Sequence, residues 1–171
     1  MIDRAAFWTA PQAYGQGVAC ADLQVRVLPV MPQIMISGDL AAGLARFGLQ
    51  DSLGLMGQAS GDCYALRLAR GRALVVGAAI EAAAGGWKDG VALTPMTGAL
   101  AVLEITGVNA LELVARATAV DLRLASPCAA LSFAGVTSIL YRHGDALRLH
   151  LDAGLVPYML DWITASGAAQ G

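Results

Sequence analysis

A chain of 171 residues with 57% hydrophobic and 14% charged residues, and a mean hydropathy of +0.59, is too apolar and too sparsely charged to be intrinsically disordered. The length suits one domain with a real core, so a single domain over residues 1–171 is expected. The net charge of −2 comes from 11 basic and 13 acidic residues, with Lys88 the sole lysine and the arginines scattered, which argues against nucleic acid as a partner.

The longest uncharged stretch, Leu124 to Tyr141, is interrupted by Ser126, Pro127, Ser132 and Gly135 and is no membrane span, so no membrane partner is expected. Met1-Ile2-Asp3-Arg4 leads to Gln12, Tyr14, Gly15 and Gln16 where a secretory signal would be apolar, and a cytoplasmic location is expected. With so little charge to cover the surface, apolar area should remain exposed, marking contact with another protein and self-association when the chain is isolated. Cys20, Cys63 and Cys128 are odd in number and widely spaced, without a C-x-x-C pair, and read as free thiols.

Residues 1–22 read as an irregular arm. Leu23-Gln24-Val25-Arg26-Val27 alternates as a strand, and after Pro29 and Pro32 the run Ile34-Met35-Ile36 enters Ser37-Gly38-Asp39. Leu40, Leu44 and Phe47 then recur with helical spacing, Ser37 or Asp39 can cap the first amides, and Gly48 can end the helix. Cys63–Ala69 and Ala73–Gly77 flank the Arg70-Gly71-Arg72 turn and should form an antiparallel hairpin. Residues 78–84 suit a short helix, Gly85 to Gly90 an exposed break, and 78–97 as a whole a connector.

The second half, 98–166, follows the order of the first, 23–77. A strand over Ala99–Ile105 runs into Thr106-Gly107 and a helix with Leu111, Val114, Ala115 and Thr118 on one face. A meander of Cys128–Phe133, Val136–Tyr141 and Ala146–Asp152 follows, and a last helix places Leu155, Met159, Trp162 and Ile163 on one stripe, with Pro157 in its first turn. Ile36-Ser37-Gly38 aligns with Ile105-Thr106-Gly107, and Cys63 to Ala69 with Cys128 to Ala134. The expected class is therefore α+β, an antiparallel or mixed sheet shared by two strand-helix-strand-strand half-motifs with helices on one face.

Candidate chemistry is sparse. His143 falls in a turn, and His150 alternates with Leu149 and Leu151, so it is expected on an outward strand face with Arg148 and Asp152. On that reading, replacing His150 with Asn leaves the activity of any complex intact. Glu81, Glu104 and Glu112 are dispersed, and the chain has no G-x-S-x-G elbow, no P-loop, no G-x-G-x-x-G turn and no H-x-x-x-H pair. No catalytic or metal-binding residue is assigned. Trp8 in the arm, and Trp87 with Lys88 between glycines, are candidates for a partner interface, since aromatics on exposed segments bury much area with few torsions. Trp162 is expected in the core.

The passage from Gly98 to Ala165 resembles the gamma subunit of heterotetrameric sarcosine oxidase. The resemblance lies in Val102-Leu103-Glu104-Ile105-Thr106-Gly107, the Leu111–Ala115 helix, Asp121-Leu122, the Phe133–Tyr141 hairpin and Leu149-His150-Leu151-Asp152 leading to Pro157-Tyr158-Met159-Leu160-Asp161-Trp162. Ala65 to Gly77 is similar to that family's first hairpin. The resemblance implies the folate-binding fold group of the glycine-cleavage aminomethyltransferase. It also implies a structural subunit in a bacterial complex that oxidatively demethylates sarcosine or a related N-methyl amino acid. The flavins, the nicotinamide cofactor NAD and tetrahydrofolate would reside on larger partner subunits, with no cofactor bound by this chain.

Folate-using relatives carry an aspartate-bearing segment where this chain has Thr94-Pro95-Met96-Thr97-Gly98, and the lysine-glycine-cysteine motif of related iron-sulfur repair proteins is absent. Gamma chains often have an arginine before the last helix, where Leu151 to Leu155 stands here. The alternative is a small folate-binding or one-carbon transfer domain, for which Tyr141, Arg142 and Arg148 would supply the aromatic and basic groups.

Overall fold

Several strands are apolar at consecutive positions as well as alternate ones. In Ala73-Leu74-Val75-Val76 no residue is more than 1% exposed, which requires cover on both faces of the sheet. The computed structural model, which describes residues 14–78 and 86–167, supplies that cover with a second sheet. Trp8 and most of the short helix expected over 78–84 lie outside the described residues.

In chain order the elements are β1 (Gly17–Ala19), β2 (Gln24–Val27), β3 (Gln33–Gly38), α1 (Leu40–Ala45), β4 (Gln58–Ala59), β5 (Tyr64–Ala69) and β6 (Arg72–Val76). These are followed by β7 (Gly86–Lys88), β8 (Val91–Pro95), β9 (Leu100–Thr106), α2 (Ala110–Ala117), β10 (Ala130–Phe133), β11 (Val136–His143), β12 (Ala146–Asp152) and α3 (Val156–Ala165). The first sheet has the order β1-β2-β9-β12-β11-β10, with β4 parallel to β11, and the second has the order β5-β6-β3-β8-β7.

Period-two alternation sorts each strand between two layers. On the outer face of the second sheet, Ile34, Ile36, Ala73, Val75, Val91 and Leu93 pack against Leu40 and Leu44 of α1. On the outer face of the first sheet, Leu103, Ile105, Leu140 and Leu149 pack against Leu113 and Val114 of α2 and Met159 and Ile163 of α3. The inner faces meet through Tyr64, Leu66, Leu74 and Val76 from one sheet and Ile139 and Tyr141 from the other. The order of layers is helix, sheet, sheet, helix. The α+β class with antiparallel sheets is as the sequence implies, but there are two sheets instead of one, the first half-motif supplying β3, β5 and β6 to one and the second β9 to β12 to the other.

Within the expected connector 78–97, residues 86–97 are part of a sheet. They contain β7 and β8, and β8 pairs with β3 along its whole length. The expectation failed because Trp87-Lys88-Asp89-Gly90 has the polarity of a loop, yet Asp89 (φ 53°) and Gly90 (φ 77°) form the positive-φ turn that joins two strands. The arm likewise contributes β1, paired with β2. The two hairpins exchange halves: β1-β2, which precedes β3 in the chain, pairs with β9, while β7-β8, which precedes β9, pairs with β3. This exchange ties the halves together through main-chain hydrogen bonds.

The helices follow the sequence with shifted faces. Asp39 caps α1 through Oδ1 to the Ala42 amide at 3.1 Å, and Gly48 adopts φ 70°. In α2 the buried stripe is Ala110, Leu113 and Val114, while Leu111 is 49% exposed and Thr118 is the cap. In α3 the stripe is Val156, Met159, Leu160 and Ile163; Pro157 sits in the first turn as expected, and Trp162 packs partly buried, edge-on to Phe133.

The internal repeat has a structural counterpart. Gly38 and Gly107 end β3 and β9 with φ 107° and 106°, and a Cβ there would lie 2.2 Å from the Gly90 carbonyl oxygen and 2.3 Å from the Asp22 carbonyl oxygen. The same carbonyls accept the amides of Asp39 and Asn109 just before α1 and α2. One device, a glycine that lets the neighbouring strand's carbonyl close over the strand-to-helix turn, is used twice. Gly38→Ala and Gly107→Ala should each cost upwards of ~2 kcal/mol in urea unfolding. Gly48→Ala, with nothing within 4 Å of its Cβ, should cost about 1 kcal/mol; equal losses at all three sites would contradict this reading.

Candidate functional site

The inner face of the first sheet carries a row of polar residues in one register: Arg26 opposite Glu104, Glu104 opposite Arg148, and Arg148 opposite Tyr141. His150 lies two residues beyond Arg148 on the same face, and Tyr64 reaches across from β5 of the second sheet. The residues are linked in series. Glu104 receives Arg26 Nη2 at 2.6 Å on Oε1 and Arg148 Nη2 at 3.2 Å on Oε2. Arg148 Nη1 donates to Tyr64 Oη at 3.4 Å, the two tyrosine hydroxyls are 2.7 Å apart, and Tyr141 Oη lies 3.0 Å from His150 Nε2.

A guanidinium only donates, so the series has a preferred direction. Tyr64 accepts from Arg148 and donates to Tyr141, and Tyr141 donates to His150 Nε2. That places the imidazole proton on Nδ1, a buried atom without a hydrogen-bond partner among the described residues. Leaving such a donor unpaired costs on the order of 1–3 kcal/mol.

Burial sets the protonation states. Desolvation, followed by the nearby Arg148 charge, depresses His150 from 6.5 to about 3, so the ring is neutral at physiological pH. Desolvation, then Tyr64, raises the Tyr141 phenol above its ordinary range despite the opposing pull of Arg148. Burial pushes the Glu104 carboxyl upward, but the Arg26 and Arg148 hydrogen bonds and charges together outweigh it and leave the group below its usual value. Burial likewise works against the Arg148 charge and is outweighed by Tyr64, Tyr141 and Glu104.

Tyr141 and His150 are both 0% exposed, so these two acid-base side chains are closed off from solvent by the described residues, whereas the Arg26 end of the series is about half exposed. General acid-base work needs the group within hydrogen-bond reach of the reacting atom. What the arrangement does is align two sheets: a sheet-on-sheet contact that is mostly apolar acquires directional hydrogen bonds at Tyr64.

The structure therefore corrects the reading of His150. Its face is the interior between the sheets, and only Asp152, at the end of β12, is exposed. Of the three residues considered for folate, Tyr141 and Arg148 are brought together, with their polar atoms already engaged by Tyr64, His150 and Glu104. Arg142 is exposed on the opposite face of β11, so the three do not form a cradle. Trp87 is 69% exposed on β7, an edge strand, and Lys88 beside it is exposed, with its carbonyl accepting Arg46 Nη2 at 3.0 Å. Sequence reasoning missed Tyr64 and the Glu104–Arg148 pairing, because only the sheet register places these distant residues side by side. No helix among the described residues is long and apolar enough to cross a membrane. Among them no cluster of three His, Cys, Asp or Glu could hold a metal ion.

No family model matches the chain, and no curated protein matches it in sequence. Solved structures do match. A chain of the heterotetrameric sarcosine oxidase of Corynebacterium sp. U-96, solved with pyrrole 2-carboxylate, superposes with a TM-score of 0.68 at 18% identity, over 88% of this chain and 86% of that one. The glycine cleavage system aminomethyltransferase T of Bartonella henselae superposes with a TM-score of 0.56 at 16% identity, over 87% of this chain and 47% of that one. The chain has the aminomethyltransferase-type fold. It spans about half of the aminomethyltransferase and most of the sarcosine oxidase chain.

The pH response of stability reports on the buried cluster. The unfolded chain protonates His150 near 6.5 while the folded chain does so only near 3, so the unfolded state binds more protons in between and stability falls as pH drops through this window. Between pH 7 and pH 4.5 the loss from this residue should be about 2–3 kcal/mol. Urea unfolding across that range should show the slope in the wild type and a flatter profile in His150→Asn, less stable at pH 7. Parallel profiles would mean that His150 is solvated.

Proposed function

We propose that this chain is a non-catalytic, gamma-type structural subunit of a heterotetrameric, sarcosine oxidase-like complex that oxidatively demethylates sarcosine or a related N-methyl amino acid. The observation that carries the reading is the superposition on a chain of such a heterotetramer over most of both chains, 88% of this one and 86% of the other. Two features of the surface and interior support it. The residues best suited to chemistry are consumed in joining the two sheets, and large apolar side chains stand in solvent: Val108 is 82% exposed, Trp87 69% and Leu124 68%. Exposed aromatic and aliphatic groups of this kind suit contact with other proteins.

In this reading flavin, NAD and tetrahydrofolate belong to larger partner subunits, and this chain lends them a docking surface that includes Trp87 and Lys88. Trp8 remains a second interface candidate. A cytoplasmic location and a tendency to self-associate without partners go with the same proposal.

The test is purification of the tagged chain from its native host under mild conditions, followed by visible absorbance, mass spectrometry and a peroxide assay with sarcosine. Larger flavin-bearing polypeptides should co-elute in fixed stoichiometry, and the complex should turn over while the lone chain does not. A chain that elutes alone without flavin contradicts the proposal. So does a lone chain whose fluorescence is quenched by micromolar tetrahydrofolate, an outcome that would favour the folate-binding domain.

A further inference from the structure

Among the described residues the second sheet ends at β7, and its register carries one row of residues across four strands: Trp87 opposite Ala92, Ala92 opposite Ser37, and Ser37 opposite Arg72. Residues opposite one another share a face, and Ser37 and Arg72 each stand two positions from Met35 and Leu74, which belong to the contact between the sheets. The row is therefore the end of the inner face, where the cover of the first sheet gives out. Trp87 and Arg72 are exposed, with Ser37 and Ala92 half-buried between them.

Four cations gather at this end. Arg70 and Arg72 flank Gly71, whose carbonyl accepts the Gly38 amide at 2.9 Å, and Trp87 Cη2 comes within 3.4 Å of the point a Gly38 Cβ would occupy. Arg46, at the end of α1, gives Nη2 to the carbonyl of Lys88 at 3.0 Å. All four are exposed, and none takes part in the ion pairs among the described residues, which join Arg26, Arg116, Arg123 and Arg148 to carboxylates. Of the acids nearby, Asp39 is engaged in capping α1 and Asp89 lies in the turn between β7 and β8, so cations are in excess at one end of a protein whose net charge is −2.

An indole left in solvent and flanked by guanidinium and ammonium groups without ion pairs is complementary to a surface that offers both apolar area and negative charge. A nucleic acid backbone would call for a longer basic track and a cationic protein. We infer that this end of the second sheet docks an acidic segment of a larger partner chain, with Asp and Glu carboxylates set against Arg70, Arg72 and Lys88 and an apolar side chain covering Trp87. The inference rests on the subunit reading and adds to it the chemistry of the docked partner.

Lys88 is the sole lysine of the chain, which makes the docked group directly readable. Treating the native complex with a water-soluble carbodiimide, which joins a carboxylate to an amine in contact with it, should link Lys88 to an Asp or Glu of a partner chain, as read by mass spectrometry of the digested product. Lys88→Arg should keep the complex and lose the link. Arg70→Glu combined with Arg72→Glu should raise the dissociation constant of the complex at least about tenfold with the unfolding midpoint of the chain unchanged, whereas Arg142→Glu, exposed on the other sheet, should change it by less than about twofold. No link from Lys88 to a partner carboxylate overturns the inference, as does a double reversal that binds like the wild type or an equal loss in Arg142→Glu, and each of these outcomes leaves the subunit reading standing. If no partner co-elutes with the wild type, the subunit reading falls and this inference falls with it.

Discussion

The hydrogen bond between the hydroxyls of Tyr64 and Tyr141, 2.7 Å long and wholly inside the protein, is the point on which the two halves of the structure are registered. Most of the rest of the contact between the two inner faces is apolar, which favours closeness without choosing an alignment, and the Arg148–Tyr64 and Gln33–Leu100 hydrogen bonds cross between the sheets beside it. The tyrosine pair chooses one. It is backed on one side by Arg148 and Glu104 and on the other by His150, so each member is held by the next. Such a series is costly when incomplete and specific when complete.

This arrangement bears directly on function. In an enzyme of this size a cluster of carboxylate, guanidinium, phenol and imidazole would be the natural place for chemistry, and its depressed His150 and raised Tyr141 would be read as tuned groups. Here the same perturbations have a structural origin. Burial by the second sheet displaces both groups from their ordinary values, and the described residues cover both completely. The exchanged hairpins reinforce the closure, since β8 on one sheet and β2 on the other fix each half against its partner. Outside this cluster Val108, Trp87 and Leu124 stand exposed, and the proposed docking role rests on that surface.

Much of this was legible in the chain itself. The Leu40–Leu44 periodicity, the Asp39 cap, the Arg70-Gly71 hairpin and the three-strand meander all rest on local patterns, and local patterns determine short elements. The Ile36-Ser37-Gly38 and Ile105-Thr106-Gly107 repeat marked the two strand-to-helix turns, because the close carbonyl approach there admits only glycine. What the sequence hid was the number of sheets. Alternation in Leu147-Arg148-Leu149-His150-Leu151 looks the same whether the polar face meets water or another sheet, so the pattern alone places His150 outside. The β7-β8 hairpin was hidden by its loop-like composition, and the Tyr64 partnership by a separation of 77 residues along the chain.

The central claim is that the inter-sheet cluster serves alignment and takes no part in turnover. The most direct measurement is the sarcosine-dependent rate, per assembled complex, of the proposed heterotetramer carrying Tyr141→Phe, alongside the unfolding midpoint of the variant chain. The account predicts a lower midpoint, because His150 and Tyr64 both lose a partner, with the turnover number unchanged. A turnover number that falls while the midpoint and the assembly hold would contradict it.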